Sequence, residues 1–288
     1  MCIRTYLPLL CFIGIFRFEF SGFDMEKRDL PIAVFDSGIG GISVLKELCA
    51  ALPCENFIYF GDTANAPYGV KSAHEVRALT FCAYESLKQR GIKAFVIACN
   101  TATSVAVADL REKYPNDIII GIEPALKPAA LCKEQPTVAV LATPLTLKEA
   151  KFASLLERFK DSARIIPFAC PGLVEFVERG EIEGEGLESF LSELLEPLKS
   201  EKLDAVVLGC THYPFVRESI SAILGKDVLV FDGGQGTARE TARRLMAEGL
   251  CKEDKSGTRI DFIDSSYPDQ INPSESMLKR FGGEYLCK

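Results

Sequence analysis

From Pro31 onward the chain alternates short apolar runs with longer stretches in which apolar residues recur at helical spacing. Apolar runs of four or five residues bounded by turn residues read as strands buried on both faces, and the helical stretches between them read as crossover connections. That alternation predicts an α/β protein built on parallel sheets. Nine strands are expected, at residues 32–35, 57–60, 94–98, 118–122, 138–142, 164–168, 205–208, 228–231 and 260–263. The clearest helix covers residues 73 to about 90. Ser72 and Glu75 form a capping box at its start, and Gly91 stands where a C-terminal cap belongs. A second helix is expected after Thr103, stopping before Pro115.

The first eight strands fall into two sets of four. Starts at 32, 57, 94 and 118 are followed by starts at 138, 164, 205 and 228, a nearly constant offset. The sharpest match sets Ala94-Phe-Val-Ile-Ala-Cys99-Asn-Thr against Ala205-Val-Val-Leu-Gly-Cys210-Thr-His. Two pseudo-symmetric, open parallel-sheet domains follow from this, with the functional site in the cleft between them. The expected division is residues 29–122 plus 234–288 for the first domain and 123–233 for the second, the break falling at Pro124.

A chain of 288 residues agrees with two domains at about 150 residues each. With 48% hydrophobic and 25% charged residues, it is neither disordered, collagen-like nor a coiled-coil rod. The net charge of −7 argues against a nucleic-acid-binding face. Eleven scattered cysteines, an odd number without any C-x-x-C, suit a reduced cytoplasm rather than a disulfide framework. Only two histidines accompany them, His74 and His212, so no metal site is expected. Residues 1–28 read as an N-terminal extension. The apolar stretch after Arg4 is broken by Pro8, Arg17 and Glu19 and is too short to span a bilayer. Met25 is the preferred start, with the preceding segment untranslated or disordered; a membrane-tethering leader is the other reading.

Cys99 and Cys210 each lie just beyond the carboxyl end of a buried strand, where open α/β sheets bind ligands. Polar residues follow both: Asn100 and Thr101 in one half, Thr211 and His212 in the other. A thiol before a helix N-terminus is expected to have its pKa lowered from about 8.5 toward neutrality. One such thiol would suggest covalent catalysis. Two, placed equivalently and facing each other, suit inversion of a carbon centre, with a base on one face and an acid on the other. His212 reads as an acid/base or orienting neighbour, and His74 as a surface residue. Asp36 ends the first strand; the glycines of Ser37-Gly38-Ile39-Gly40-Gly41 allow close backbone approach and the following helix N-terminus favours an anion, without the spacing of a dinucleotide fingerprint. Asp232-Gly233-Gly234 reads as a strand-to-helix turn.

Together these stretches resemble the cofactor-independent glutamate racemases. Asp36-Ser37-Gly38-Ile39-Gly40-Gly41 is similar to that family's first signature and Pro67-Tyr68-Gly69 to its second. Cys99-Asn100-Thr101-Ala102-Thr103 and Gly209-Cys210-Thr211-His212-Tyr213-Pro214 resemble the two catalytic cysteine segments. The resemblance implies interconversion of L- and D-glutamate without pyridoxal phosphate or metal, supplying D-glutamate for peptidoglycan in the cytoplasm. It implies Cys99 and Cys210 as alternating acid and base, and substrate contacts from Asp36, Ser37, Tyr68, Gly69, Asn100, Thr101, Thr211 and His212. Thr143 and Thr146 look like the family's threonine pair, and Glu178 like an acidic residue near the cleft. The family is often homodimeric; no nucleic-acid or membrane partner is implied. Lys71 and Arg217 lie only near the motifs, so both substrate carboxylates would be held mainly by backbone N–H groups, hydroxyls and an amide. Two alternatives stay open: a racemase of aspartate or a hydantoin, and a non-catalytic small-molecule-binding regulator.

Overall fold

A computed structural model describes residues 26–254 and 257–267. The reading of Met25 as the start concerns residues outside that range. In chain order the elements are β1 (Ile32–Asp36), α1 (Ile42–Ala51), β2 (Phe57–Gly61), α2 (Ala73–Gln89), β3 (Ala94–Ile97), α3 (Asn100–Lys113), β4 (Ile118–Gly121) and α4 (Leu126–Ala130). Then follow β5 (Thr137–Ala142), α5 (Pro144–Lys148), α6 (Ala150–Glu157), β6 (Arg164–Ala169), α7 (Leu173–Glu178), α8 (Glu185–Leu194), β7 (Ala205–Leu208), α9 (Arg217–Leu224), β8 (Leu229–Asp232), α10 (Gly234–Ala247) and β9 (Ile260–Asp264). All nine strands stand where the apolar runs put them, within a residue or two.

The strands form two wholly parallel sheets, one ordered β4-β3-β1-β2-β9 and the other β6-β5-β7-β8. Leaving β9 aside, both follow the same doubly wound order, and in each the order reverses between the first strand and the third. Ligands bind at such a reversal, outside the carboxyl ends of the strands. The two reversals lie between β1 and β3 and between β5 and β7. Every residue of β1, β3 and β7 is buried, which is why these strands read as unbroken apolar runs. Pro167 is accommodated because β6 is an edge strand.

Helix ends follow local chemistry. The Ser72 side chain accepts the Glu75 N–H at 3.2 Å, and Gly91 closes α2 at φ +78°, a conformation that favours glycine. The second helix begins earlier than its sequence suggests. Asn100 to Thr103 are already helical in α3, because the Cys99 sulfur takes the N-cap role and accepts the Ala102 N–H at 3.4 Å. Thiols are uncommon in that role, so the sequence carries no ordinary cap signal here. No helix among the described residues is long and apolar enough to cross a membrane.

Candidate active site

Four strands deliver polar residues to one buried region. Asp36 ends β1, Cys99 follows β3, Thr143 follows β5 and Cys210 follows β7. Cys99 is 5% exposed and Cys210 7%; Asp36, Ser37, Tyr68, Asn100, Thr101, Thr211 and His212 are buried with them. His74 is exposed on α2.

Each sulfur has its own partners. Cys99 Sγ lies 3.5 Å from Ser37 Oγ, while Cys210 Sγ lies 3.6 Å from His212 Nδ1. His212 is 2% exposed, and its Nε2 meets Glu178 Oε1 at 2.6 Å. Glu178 therefore completes a Cys210–His212–Glu178 chain. The same carboxylate oxygen accepts the Ile39 N–H at 3.1 Å, tying the end of α7 to the loop after β1. Thr211 Oγ1 donates to Asp36 Oδ1 at 3.1 Å across the same divide. The glycines of that loop are needed for this approach. A Cβ on Gly40 would stand 2.5 Å from both Thr211 Oγ1 and His212 Nδ1, and one on Gly38 would collide with Glu178.

The opposite wall carries hydroxyls. Thr101 Oγ1 lies 3.0 Å from Thr143 Oγ1 and 3.1 Å from Thr146 Oγ1, and the latter two are 2.9 Å apart. Gly69 packs against Thr143. Tyr68 lies beside them with its hydroxyl turned away, donating to Asp62 Oδ2 at 2.5 Å; Asn65 donates to the other Asp62 oxygen. Asn100 Oδ1 is buried and without a hydrogen-bond partner, an unmet acceptor in the wall of the site. Arg217 and Lys71 stay out of this arrangement. Arg217 donates to Val230 O and pairs with Asp232, and Lys71 pairs with Glu75. Asp232 also accepts the Gly234 N–H, as befits a strand-to-helix turn.

Burial sets the electrostatics. The Cys99 thiol is pushed up to about 12, by burial first and then by the Asp36 carboxylate, against the Ala102 N–H and the Ser37 hydroxyl. This corrects the expectation of a lowered thiol pKa: the helix N-terminus acts as foreseen, but desolvation outweighs it. Cys210 contributes a smaller upward push, so the two sulfurs are near enough to sense each other's charge. Burial also raises the Asp36 carboxyl, partly offset by His212. Burial pulls His212 down, yet hydrogen bonds to Cys210 and Glu178 prevail and hold it well above its ordinary value. The imidazole is thus set up to be cationic.

Sequence reasoning missed Asp62, which directly follows β2; a carboxylate just past a strand end was the available signal. Tyr59 and Ser43 were missed as well. Tyr59 donates to Gly38 O at 2.7 Å and supports the glycine loop, and Ser43 donates toward Thr211 O at 2.9 Å.

The chain is similar to known proteins over most of its length. Residues 41–241 match the family described as Asp/Glu/Hydantoin racemase. A glutamate racemase of Clostridium botulinum is 48% identical over 88% of this chain and 96% of its own length. The Francisella tularensis glutamate racemase in complex with D-glutamate superposes with a TM-score of 0.76 at 29% identity, over 91% of this chain and 95% of that one. The Escherichia coli glutamate racemase in complex with L-glutamate and the activator UDP-MurNAc-Ala gives 0.76 at 31%, over 89% and 95%. On these matches and this fold, the chain belongs to the Asp/Glu/hydantoin racemase family and is an isomerase.

Proposed function

We propose that the chain interconverts L- and D-glutamate by two-base proton transfer at the α-carbon, with Cys99 and Cys210 as the two bases. The observation that carries this reading is the pair of strand-end sulfurs in one buried site, each with a separate hydrogen-bonding partner. In one direction the thiolate on one side takes the α-hydrogen, leaving its electron pair on the carbon. The thiol on the other face then gives that carbon a proton. Thiolate and thiol have exchanged places, and the reverse reaction restores them. Ser37 and the Ala102 N–H serve Cys99, while the cationic His212, held by Glu178, serves Cys210. The Thr101, Thr143 and Thr146 hydroxyls with Asn100 and the Tyr68–Gly69 backbone take one carboxylate; Ser37 and Thr211 take the other.

Glutamate is supported by the two relatives that hold D- and L-glutamate, and by a site that binds carboxylates without arginine. In the cell the product would supply D-glutamate to peptidoglycan from the cytoplasm, made by a homodimer. Chiral chromatography of either enantiomer in D2O, with no cofactor added, tests the reaction. Racemisation with deuterium at the α-carbon is expected, and Cys99→Ser and Cys210→Ser should each slow it by roughly 10²–10⁴-fold. Full activity in either variant refutes the two-thiol scheme. Turnover of aspartate in preference to glutamate refutes the substrate, and no exchange with any amino acid would favour a binding regulator.

A further inference from the structure

Ser43 stands in the first turn of α1, outside all four motifs, yet its side chain reaches across the cleft. Its hydroxyl lies 2.8 Å from Gly40 O and 2.9 Å from Thr211 O, and it has one proton to give. Gly40 O already accepts the Ser43 backbone N–H at 3.0 Å. Thr211 O, 168 residues away in sequence, has that hydroxyl as its neighbour from the first sheet's side. Residue 211 is therefore tethered twice to the loop after β1, through its carbonyl by Ser43 and through its hydroxyl by Asp36. The peptide joining Cys210 to His212 runs through this residue, so its two tethers fix the directions of both neighbouring side chains. Cys99 is held differently, by Ser37 and Ala102, and the Ser43 hydroxyl bonds to neither.

We propose that Ser43 is a positioning residue for Cys210: its hydrogen bond to the Thr211 carbonyl sets the second thiol in register with the first across the cleft. This rests on the proposed two-thiol reading. Losing one hydrogen bond to a carbonyl that must then shift by a fraction of an ångström is expected to lower kcat about tenfold while KM changes less than twofold. The chemistry supplies a sharper signature. Racemisation has an equilibrium constant of one, so kcat/KM falls equally in both directions whichever thiol is disturbed. Primary isotope effects need not move together. If only the Cys210 step slows, the effect with 2-deuterated substrate rises for the enantiomer from which Cys210 removes hydrogen and falls for the other.

The experiment compares Ser43→Ala, Ser43→Thr and the parent enzyme with both 2-deuterated enantiomers of glutamate, alongside thermal unfolding. Ser43→Ala should show the tenfold loss, isotope effects that move oppositely in the two directions, and an unfolding temperature within about 2 °C of the parent. Ser43→Thr keeps the hydroxyl and should recover most of the rate. An unchanged kcat in Ser43→Ala, isotope effects that move equally, or failure of Ser43→Thr to recover the rate would each overturn the assignment. The underlying reading fails separately: Cys210→Ser at full activity would remove the two-thiol scheme, whatever Ser43 does.

Discussion

Beneath the first sheet, at the amino ends of its strands and away from the site, lies a buried ion pair whose removal has a calculable effect. Lys93 precedes β3 and Glu55 lies two residues before β2; their side chains are 0% and 3% exposed. The Lys93 ammonium also donates to Arg28 O at 2.5 Å and Leu250 O at 3.0 Å, while Glu55 Oε1 accepts the Lys252 N–H at 2.9 Å. Four chain segments therefore meet at one pair of charges: the approach to β1, the ends of β2 and β3, and the connection from α10 toward β9. Lys93→Met keeps most of the apolar volume but leaves a buried carboxylate unpaired, which costs about 3–5 kcal/mol. At roughly 2 °C per kcal/mol for a chain of this size, Tm should fall by about 6–10 °C. Lys93→Met with Glu55→Leu removes both charges and should recover at least half of that loss. Circular dichroism melts and urea unfolding give the two numbers, and kcat of the folded fraction should stay within twofold. A single variant within 2 °C of the parent, or a double variant no better than the single, would refute the reasoning.

Three further outcomes follow from the site. Asp36→Asn removes the charge that, after burial, most raises Cys99, so the pH midpoint for alkylation of Cys99 by iodoacetamide should move down; an unmoved or higher midpoint counts against the assignment. His212 has a folded pKa above its unfolded value of about 6.5, so its contribution to stability is complete below that pH and is lost as pH rises through the folded pKa. Glu178→Gln removes one of the groups that raise it, and urea unfolding across pH 6 to 9 should show a shallower decline than the parent; identical slopes would exclude the His212–Glu178 bond as the source. Arg217→Ala should leave kcat/KM within twofold and cost roughly 1 kcal/mol of stability, since the guanidinium bonds to Val230 O and a partly buried Asp232; loss of activity would reveal a missed carboxylate contact.

The parts of this molecule that were legible in the sequence are those governed by local physics. Parallel strands are covered on both faces, so β1, β3, β5 and β7 appear as apolar runs, and each run ends where a polar residue enters the site. The pairing of the two halves was legible because Cys99 and Cys210 occupy the same place in like-ordered strands. Contacts of long sequence separation were not. Nothing near Ser43 announces a bond to residue 211, and Glu178 meets Ile39 across 139 residues. The true start of α3 does not show in the sequence, because a sulfur performs the capping that Ser or Asp ordinarily signals. The Cys99 pKa escapes the sequence for a related reason: the helix terminus is written there, whereas the burial that overrides it comes from packing among residues distant along the chain.

That correction bears directly on how the proposed chemistry would work. A thiol with a pKa near neutrality is easily ionised but gives a weak base, and an amino acid's α-hydrogen is a reluctant acid. Burial that lifts Cys99 to about 12 makes its thiolate a much stronger base, and proton transfer gains driving force accordingly. The same burial makes that thiolate scarce in the buried site. If ionisation precedes substrate binding, in a form where water reaches the sulfur, it occurs at an ordinary thiol pKa of about 8.5. Such an order separates the two kinetic profiles, since kcat/KM reports ionisations of the free enzyme and kcat those of the bound complex. On this reasoning kcat/KM should rise with pH through about 8.5, while kcat stays nearly flat across the same interval. Matching profiles, measured with either enantiomer by circular dichroism, would mean that the thiol ionises within the substrate complex and that burial does not control its basicity.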